Sequence, residues 1–239
     1  NRSDTLLLNI LPEETARELK QSGKVAAKKF ESVTVLFTDF KGFTNIAETL
    51  SPQQLVSEID MYFKAFDLIA DIHGIEKIKT IGDAYMAAGG LPEANATHAE
   101  DVIRAAIDIR SFVENQKAIR IEKGLPFFEI RIGVHTGEVI VGNMGGQKRF
   151  DYTAVGDAMN IASRLEGANK YLSTRVCIGE DTVMKIDEAK RKELGVCQVA
   201  QVVLKGKSGA LRVYTFQSNL SAESASRALP DTPIVLEGK

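Results

Sequence analysis

Two aspartates and a lysine in this sequence have the side chains needed to bind a metal ion and to donate a hydrogen bond to the edge of a base. Asp39 follows a β-branched segment, 32–38, and Asp83 lies at the tip of a hairpin pattern, 75–90. Carboxylates at such positions bind one or two Mg²⁺ ions in phosphoryl or nucleotidyl transfer. Lys79 lies on one arm of the same hairpin and could donate to a base edge. Since aspartates are common in turns, each residue alone favours a structural role, and only their combination indicates a site.

The apolar periodicity predicts alternating strands and helices around these residues. Besides the hairpin, strands are predicted at 32–38, 128–135, 138–142, 150–155, 175–178, 196–204 and 211–216. Helices are predicted at 12–23, 43–50 and 51–74, after 97, after 156, and near 180–190. This order predicts an α+β fold with a ferredoxin-like or palm-like βαββαβ core and additional strands. The helices are expected to cover one face of a mainly antiparallel sheet.

Local signals place several of these boundaries. Ser51 and Pro52 predict an N-cap and a first helical residue. Thr97 and Glu100 match a capping box at the next long helix. Thr136–Gly137 is interpreted as a turn between two strands, and 143–147 as a loop.

The chain is predicted to contain one main domain. Residues 1–31 are interpreted as an N-terminal helix and an exposed connector, and residues 32–218 as the domain. Residues 219–239 lack periodicity and predict a disordered tail. Because the sequence begins at Asn1, we expect it to be a catalytic fragment of a longer parent.

Composition excludes several classes of function. A net charge of −2 and a pI near 6.0 argue against bulk binding to a nucleic acid polymer or an anionic membrane. Cys177 and Cys197 occur in apolar segments, which favours buried thiols over a disulfide. The apolar runs fall short of the ~20 residues that span a bilayer, and no signal peptide is recognised. These features predict a cytoplasmic location.

Long motifs follow one another in a fixed order. They read VTVLFTDFKGFT, EKIKTIGDAYMAAGG, RIGVHTGEVIVGNMG, FDYTAVGDAMNIASRLE and LKGKSGALRVYTF. In amino-acid sequence, order and spacing these motifs resemble those of the class III nucleotidyl cyclases, in particular bacterial, cyanobacterial-type adenylyl cyclases. The resemblance extends over Val33–Phe216, and several long motifs in order are far more specific than one short pattern.

The resemblance implies how metal and base are bound. Asp39 and Asp83 match the family's metal-binding aspartates, which hold two divalent ions, Mg²⁺ or Mn²⁺. The backbone carbonyl of Phe40 is implied as a further ligand. Lys79 and Thr153 match the pair that reads the purine.

The resemblance also implies the catalytic residues and the assembly. Asn160 matches the residue that orients the ribose, Arg164 the arginine that stabilises the transition state, and Lys205 a lysine that touches the triphosphate. In this family the metal aspartates and the base-reading residues lie on opposite sides of a head-to-tail dimer. Because this chain carries both sets, a homodimer with two equivalent sites is implied.

The base-reading pair favours ATP over GTP. Adenine offers an acceptor at N1 and a donor amine at N6, which a lysine ammonium and a threonine hydroxyl can match. Guanine inverts that pattern, and cyclases that use GTP typically have Glu where this chain has Lys79. Thr153 replaces the Asp of mammalian-type adenylyl enzymes, and the pairing resembles a bacterial subclass associated with bicarbonate responsiveness.

Three other functions are alternatives to an ATP-cyclising enzyme. They are a catalytically silent nucleotide-binding domain of the same fold, a guanylyl cyclase, and a polymerase-like or GTP-dimerising enzyme. The first is disfavoured because the residues matching the metal, base and transition-state positions are all present. The last lacks a GG(D/E)EF-type turn. Since no side chain is an obvious general base, the proton is expected to leave through water or substrate.

Overall fold

The structure, a computed structural model, describes residues 13–23, 25–146, 149–204, 209–220 and 232–236. Its strands are β1 (Lys28–Lys41), β2 (Glu76–Ile81), β3 (Ala84–Gly89), β4 (Glu129–Gly146), β5 (Arg149–Val155), β6 (Val176–Gly179), β7 (Val196–Leu204), β8 (Leu211–Phe216) and β9 (Ile234–Leu236). Its helices are α1 (Glu13–Ser22), α2 (Phe43–Ala47), α3 (Pro52–Ile72), α4 (His98–Glu122), α5 (Asp157–Leu172), α6 (Glu180–Val183) and α7 (Glu188–Glu193).

These strands form one nine-stranded sheet. Its order is β2-β3-β1-β4-β6-β8-β7-β9, and β5 pairs with β4 outside that path. The pairs β4–β6 and β7–β9 are parallel, and the other pairs are antiparallel. The α+β fold with a mainly antiparallel sheet is therefore confirmed.

Helices pack on both faces of this sheet, and not on one face as predicted. Successive residues of β1 alternate between the faces. Leu36 belongs to the core that contains Phe66 of α3 and Ile103 of α4, whereas Val35 belongs to the core that contains Met159 of α5. The continuous apolar run in β1 reflects this burial on both faces.

The two central strands are longer than predicted. β1 begins at Lys28, so residues 28–30 are paired with Val139–Val141 and are not part of a connector. β4 continues without a break through Thr136–Gly137, and the predicted loop at 143–147 is strand up to Gly146. The predicted turn at Thr136–Gly137 is therefore wrong.

Buried hydroxyl groups explain why Thr136 is not in a turn. Its Oγ1 lies 2.7 Å from Oγ1 of Thr34 in β1 and donates to Oγ1 of Thr182 in α6 at 3.0 Å. Hydroxyl groups buried in this way need such partners. Long-range hydrogen bonds thus override the local turn signal.

The two predicted helix starts have different caps. Ser51 forms the full capping box with Gln54, as the N-cap prediction for this residue requires. Thr97 is also an N-cap residue, but its hydroxyl donates to Asp101 at 2.7 Å and caps no backbone group. The second capping box is wrong because Glu100 binds cations instead.

Two predictions near the C-terminus also need correction. The single helix predicted near 180–190 is two short helices, α6 and α7. Residues 234–236, assigned to a disordered tail, form β9 and pair with β7, where Leu236 is buried.

Both cysteines lie in strands of the sheet, Cys177 in β6 and Cys197 in β7. Cys177 is buried and Cys197 half-buried, and both are free thiols. Burial raises the pKa of Cys177 to about 12, so this group stays protonated at neutral pH. Within the described ranges, no helix has both the length and the apolar character needed to cross a bilayer.

Gly133 sets how closely α5 approaches the sheet. A Cβ atom at this position of β4 would lie 2.0 Å from the carbonyl oxygen of Ala162 and 2.3 Å from the amide nitrogen of Glu166. Both are backbone atoms of α5, which cannot swing aside like a side chain. The absent side chain therefore allows α5, with Asn160 and Arg164, to lie directly on β4.

We expect Gly133→Ala to destabilise the protein by about 1–3 kcal/mol, because the new methyl group forces α5 away from β4. Urea unfolding of both proteins measures this difference. Gly167→Ala is the control, since nothing lies within 4 Å of a Cβ there, and the change should be neutral or stabilise by up to about 1 kcal/mol. Equal stability of Gly133→Ala and the parent would contradict the close contact.

Candidate active site

Asp39 is held by an arginine on the neighbouring strand. Asp39 of β1 pairs directly with Arg131 of β4, whose Nη2 donates to Asp39 Oδ2 at 3.1 Å. Arg131 Nε lies 2.8 Å from Oε1 of Glu166, so the guanidinium joins β1 to α5. These three side chains are 18%, 15% and 4% exposed, respectively, which limits screening of their charges by water.

Sequence reasoning missed Arg131. It lies within the quoted motif RIGVHTG, but its role depends on the register between β1 and β4, which the motif does not contain. Strand alternation offered a weaker signal, because Arg131 interrupts the apolar residues Ile130 and Ile132.

The hairpin turn brings Asp83 to the same end of the sheet as Asp39. The β1–β3 ladder ends with the pair Thr38–Tyr85, one residue before Asp39 and two residues after Asp83. Gly82 has φ of 60°, a left-handed conformation that favours glycine in this tight turn. Both aspartates are half-buried.

An aromatic cluster fixes the backbone next to Asp39. The Phe40 ring is 2% exposed and packs against four other rings at centroid distances of 4.9–6.3 Å. These rings belong to Tyr62, Phe63, Phe66 and Phe128. Anchoring of Phe40 restrains the carboxylate of its neighbour, Asp39.

The structure also brings Lys79 and Thr153 together. Lys79 Nζ of β2 donates to Thr153 Oγ1 of β5 at 3.0 Å. Thr153 is 6% exposed, and Lys79 is half-buried. These side chains come from distant parts of the sequence, so the contact depends on the folded sheet.

Asn160 and Arg164 lie on α5, one turn apart and exposed to solvent. Their spacing places them on one side of the helix. Lys205 lies outside the described residues.

The residues at the end of β1 and the hairpin tip fit a magnesium-type ion. Asp39 and Asp83 supply hard carboxylate oxygens, which Mg²⁺ and Mn²⁺ prefer. In the part of the chain that the structure describes, no group of three or more His, Cys, Asp or Glu residues could hold a metal. Since Mg²⁺ usually combines one or two carboxylates with water and substrate phosphates, this donor set fits a site completed by a nucleotide.

A second charged cluster lies beside this site. Glu129 of β4 pairs with Lys41, which lies two residues beyond Asp39. The Nζ of Lys41 donates to Glu129 Oε2 at 2.8 Å. Lys117 and Arg175 donate to Glu129 Oε1 at 2.7 Å and 2.5 Å. Burial alone would raise the pKa of Glu129, but the hydrogen bonds from these three cations outweigh it and hold the pKa well below its usual range.

Comparison with protein families gives a match over most of the chain. A family model described as the adenylate and guanylate cyclase catalytic domain matches residues 25–218. Guanylate cyclase soluble subunit beta-2 of Rattus norvegicus is 34% identical over 233 residues, which is 97% of this chain and 33% of the relative. Adenylate cyclase 1 of Rhizobium meliloti (strain 1021) is 34% identical over 221 residues, 91% of this chain and 32% of the relative. The chain spans about a third of these relatives.

Solved structures share the same architecture. The catalytic core of a rhodopsin-guanylyl cyclase with converted specificity, in complex with ATPαS, has a TM-score of 0.67 and 29% identity, covering 80% of this chain and 97% of that one. The adenylyl cyclase CyaB from P. aeruginosa has a TM-score of 0.70 and 26% identity, covering 82% and 100%. Similar proteins thus include both adenylyl and guanylyl cyclases.

Glu129 should make stability depend on acidity. Because its folded pKa is lowered, its contribution is present above the unfolded pKa of about 4.3 and is lost as pH falls towards the folded value. We expect Glu129→Gln to be clearly less stable than the parent at pH 7, with the difference shrinking at pH 3.5. Urea unfolding at both pH values measures this.

Glu138→Gln is the matched control for this experiment. Glu138 lies on the same strand and binds Lys29 at 2.7 Å, but half of its side chain is exposed. Exposed ion pairs contribute about 0–1 kcal/mol, so the control should differ little from the parent at either pH. A Glu129→Gln difference that is equal at both pH values would contradict the assigned ionisation.

Proposed function

Because this chain belongs to the adenylate and guanylate cyclase catalytic domain family, we propose that it converts ATP to 3′,5′-cyclic AMP and pyrophosphate. Family membership supports a nucleotide-cyclising lyase, and the choice of base is our inference. The observation that carries this choice is the 3.0 Å hydrogen bond between Lys79 and Thr153.

The chemistry of this pair matches adenine. The Lys79 ammonium has three donors, of which one is directed at Thr153, so another can donate to adenine N1. The Thr153 hydroxyl oxygen has a second lone pair that can accept from the N6 amine. Guanine would present its N1–H donor to the ammonium, and buried polar groups left unmatched discriminate strongly against a wrong substrate.

We assign the metal-binding role to Asp39, Asp83 and the backbone carbonyl of Phe40. Two divalent ions, Mg²⁺ or Mn²⁺, would lower the pKa of the ribose 3′-hydroxyl and neutralise charge on the triphosphate when bound. Arg131 supports this role, since its hydrogen bond orients the Asp39 carboxylate.

The remaining assignments concern the reacting groups. A bond forms between the ribose 3′-oxygen and the α-phosphorus, and the bond to pyrophosphate breaks, while the hydroxyl proton leaves to water or substrate. Arg164 donates to the phosphorus oxygens as negative charge develops there. Asn160 holds the ribose through its amide, and Lys205 contacts the triphosphate. The exposure of Asn160 and Arg164 leaves them accessible to substrate.

We further propose a head-to-tail homodimer. Asp39 binds Arg131 at the end of β1, while Lys79 binds Thr153 of β5, so one chain carries both the metal-binding and the base-reading sets. Each set would complete a site with the other set of the partner, giving two equivalent sites. The same Lys79–Thr153 pairing underlies our proposal that bicarbonate raises activity, which adding bicarbonate to the assay tests.

Base selection can be tested with one charge reversal. With Mg²⁺ or Mn²⁺ and ATP, the parent protein should form cyclic AMP, and Lys79→Glu should lower kcat/KM for ATP by at least about tenfold, because a carboxylate repels the N1 acceptor. Lys192→Glu, on an exposed face of α7, is the control and should retain activity. Absence of product from the parent with either metal contradicts the enzyme assignment, and unchanged ATP kinetics in Lys79→Glu contradict its role.

The shared sites can be tested by mixing two inactive variants. Asp39→Ala and Arg164→Ala each damage both sites of their own homodimer. In a heterodimer, both lesions fall in one site and the other is intact. Random exchange at equal concentrations makes half of the dimers mixed, so activity should recover to about a quarter of that of the parent. With exchange verified by co-purification of two tags, no recovery would contradict the shared-site arrangement.

A further inference from the structure

One carboxylate on α3 contacts both strands of the hairpin that carries Lys79 and Asp83. Asp67 Oδ1 accepts the Tyr85 hydroxyl of β3 at 2.8 Å. Its other oxygen, Oδ2, accepts Lys77 Nζ of β2, also at 2.8 Å. The three side chains form one unit, because Lys77 Nζ also lies 5.5 Å from the centroid of the Tyr85 ring.

Tyr85 is the tightly packed member of this unit. Its side chain is fully buried, and its ring packs against Phe63 at 5.7 Å and Phe66 at 5.5 Å. The packed ring therefore holds its hydroxyl in a fixed position, from which it donates to Asp67.

A β-bulge in β2 connects Lys77 to the orientation of Lys79. Lys77 pairs with Ala87 and Lys79 pairs with Met86, so the register shifts at the intervening residue, Ile78. Ala87 belongs to the core beneath α3 and α4, whereas Met86 belongs to the core beneath α5. The bulge thus directs Lys77 towards α3 and Lys79 towards the opposite face, where Thr153 lies.

We propose that Asp67 is a positioning residue for the cyclase reaction. By holding Lys77 and Tyr85, each two residues from a site residue, it fixes the bulged strand that presents Lys79 and the turn that presents Asp83. The kinetic part of this inference rests on the proposed roles of those two residues.

The two hydrogen bonds of Asp67, to Tyr85 and to Lys77, should contribute unequally to holding the hairpin. Asp67 and Lys77 are each about 40% exposed, so their ion pair is largely screened by water. The Tyr85 hydroxyl belongs to a fully buried side chain, and loss of its acceptor leaves a polar group without a partner. Asp67→Ala removes both hydrogen bonds, whereas Asp67→Asn keeps an acceptor for Tyr85 and should have a smaller effect.

Hydrogen exchange of the backbone amides of residues 76–89 tests the positioning without using activity. Exchange there should be at least about tenfold faster in Asp67→Ala than in the parent, and less accelerated in Asp67→Asn. Asp60→Asn is the matched control, because Asp60 lies on the same helix and its carboxylate binds Lys64 of that helix at 2.7 Å. The control should exchange like the parent.

Kinetics provide the second readout. In Asp67→Ala, KM for ATP and the Mg²⁺ concentration for half-maximal activity should each rise severalfold, because one hairpin carries both Lys79 and Asp83. Tyr85→Phe, which removes only a hydroxyl, should reproduce most of this change and serves if Asp67→Ala does not fold.

Two results would overturn the inference. One is parent-like exchange at 76–89 in both Asp67→Ala and Tyr85→Phe, and the other is faster exchange with unchanged KM and metal dependence in an active enzyme. If the parent protein forms no cyclic nucleotide, the proposed function fails, while the exchange experiment still decides whether Asp67 holds the hairpin.

Discussion

The antiparallel register between β1 and β4 is the constraint on which the candidate site depends. It places Asp39 opposite Arg131 and Lys41 opposite Glu129. A shift of one residue would turn Asp39 to the other face of the sheet, towards α3 and α4, and would bury a carboxylate among aromatic rings. Because both faces of β1 pack against helices, such a shift would also misfit side chains in both cores, so core packing and site geometry are set together.

The carboxylates near the paired residues of β1 and β4 form ion pairs with cationic side chains. Arg131 lies between Asp39 and Glu166, and Lys41, Lys117 and Arg175 surround the single carboxylate of Glu129. A cation beside each of these carboxylates offsets part of the cost of burying its charge. The same pairing occurs at the hairpin, where Lys77 binds Asp67 of α3 on the face away from Lys79.

Much of the fold could be predicted from local patterns, since the capped helix after Ser51 and the hairpin at 75–90 depend on nearby residues. The turn predicted at Thr136–Gly137 failed because distant hydroxyl groups hold that segment in a strand. For the site, motif resemblance predicted that Lys79 and Thr153 act as a pair, and the two side chains are in hydrogen-bond contact in the structure. The contact between Arg131 and Asp39 could not be predicted, because it depends on the cross-strand register, which local sequence does not specify.

The proposed selection of adenine by the Lys79–Thr153 pair is tested most directly by a competition assay. Purified protein is supplied with equal concentrations of ATP and GTP in the presence of Mg²⁺, and both cyclic products are quantified in the same reaction. The ratio of products reports the ratio of kcat/KM values. We expect cyclic AMP to exceed cyclic GMP by at least about tenfold, whereas equal amounts or an excess of cyclic GMP would contradict selection of adenine by this pair.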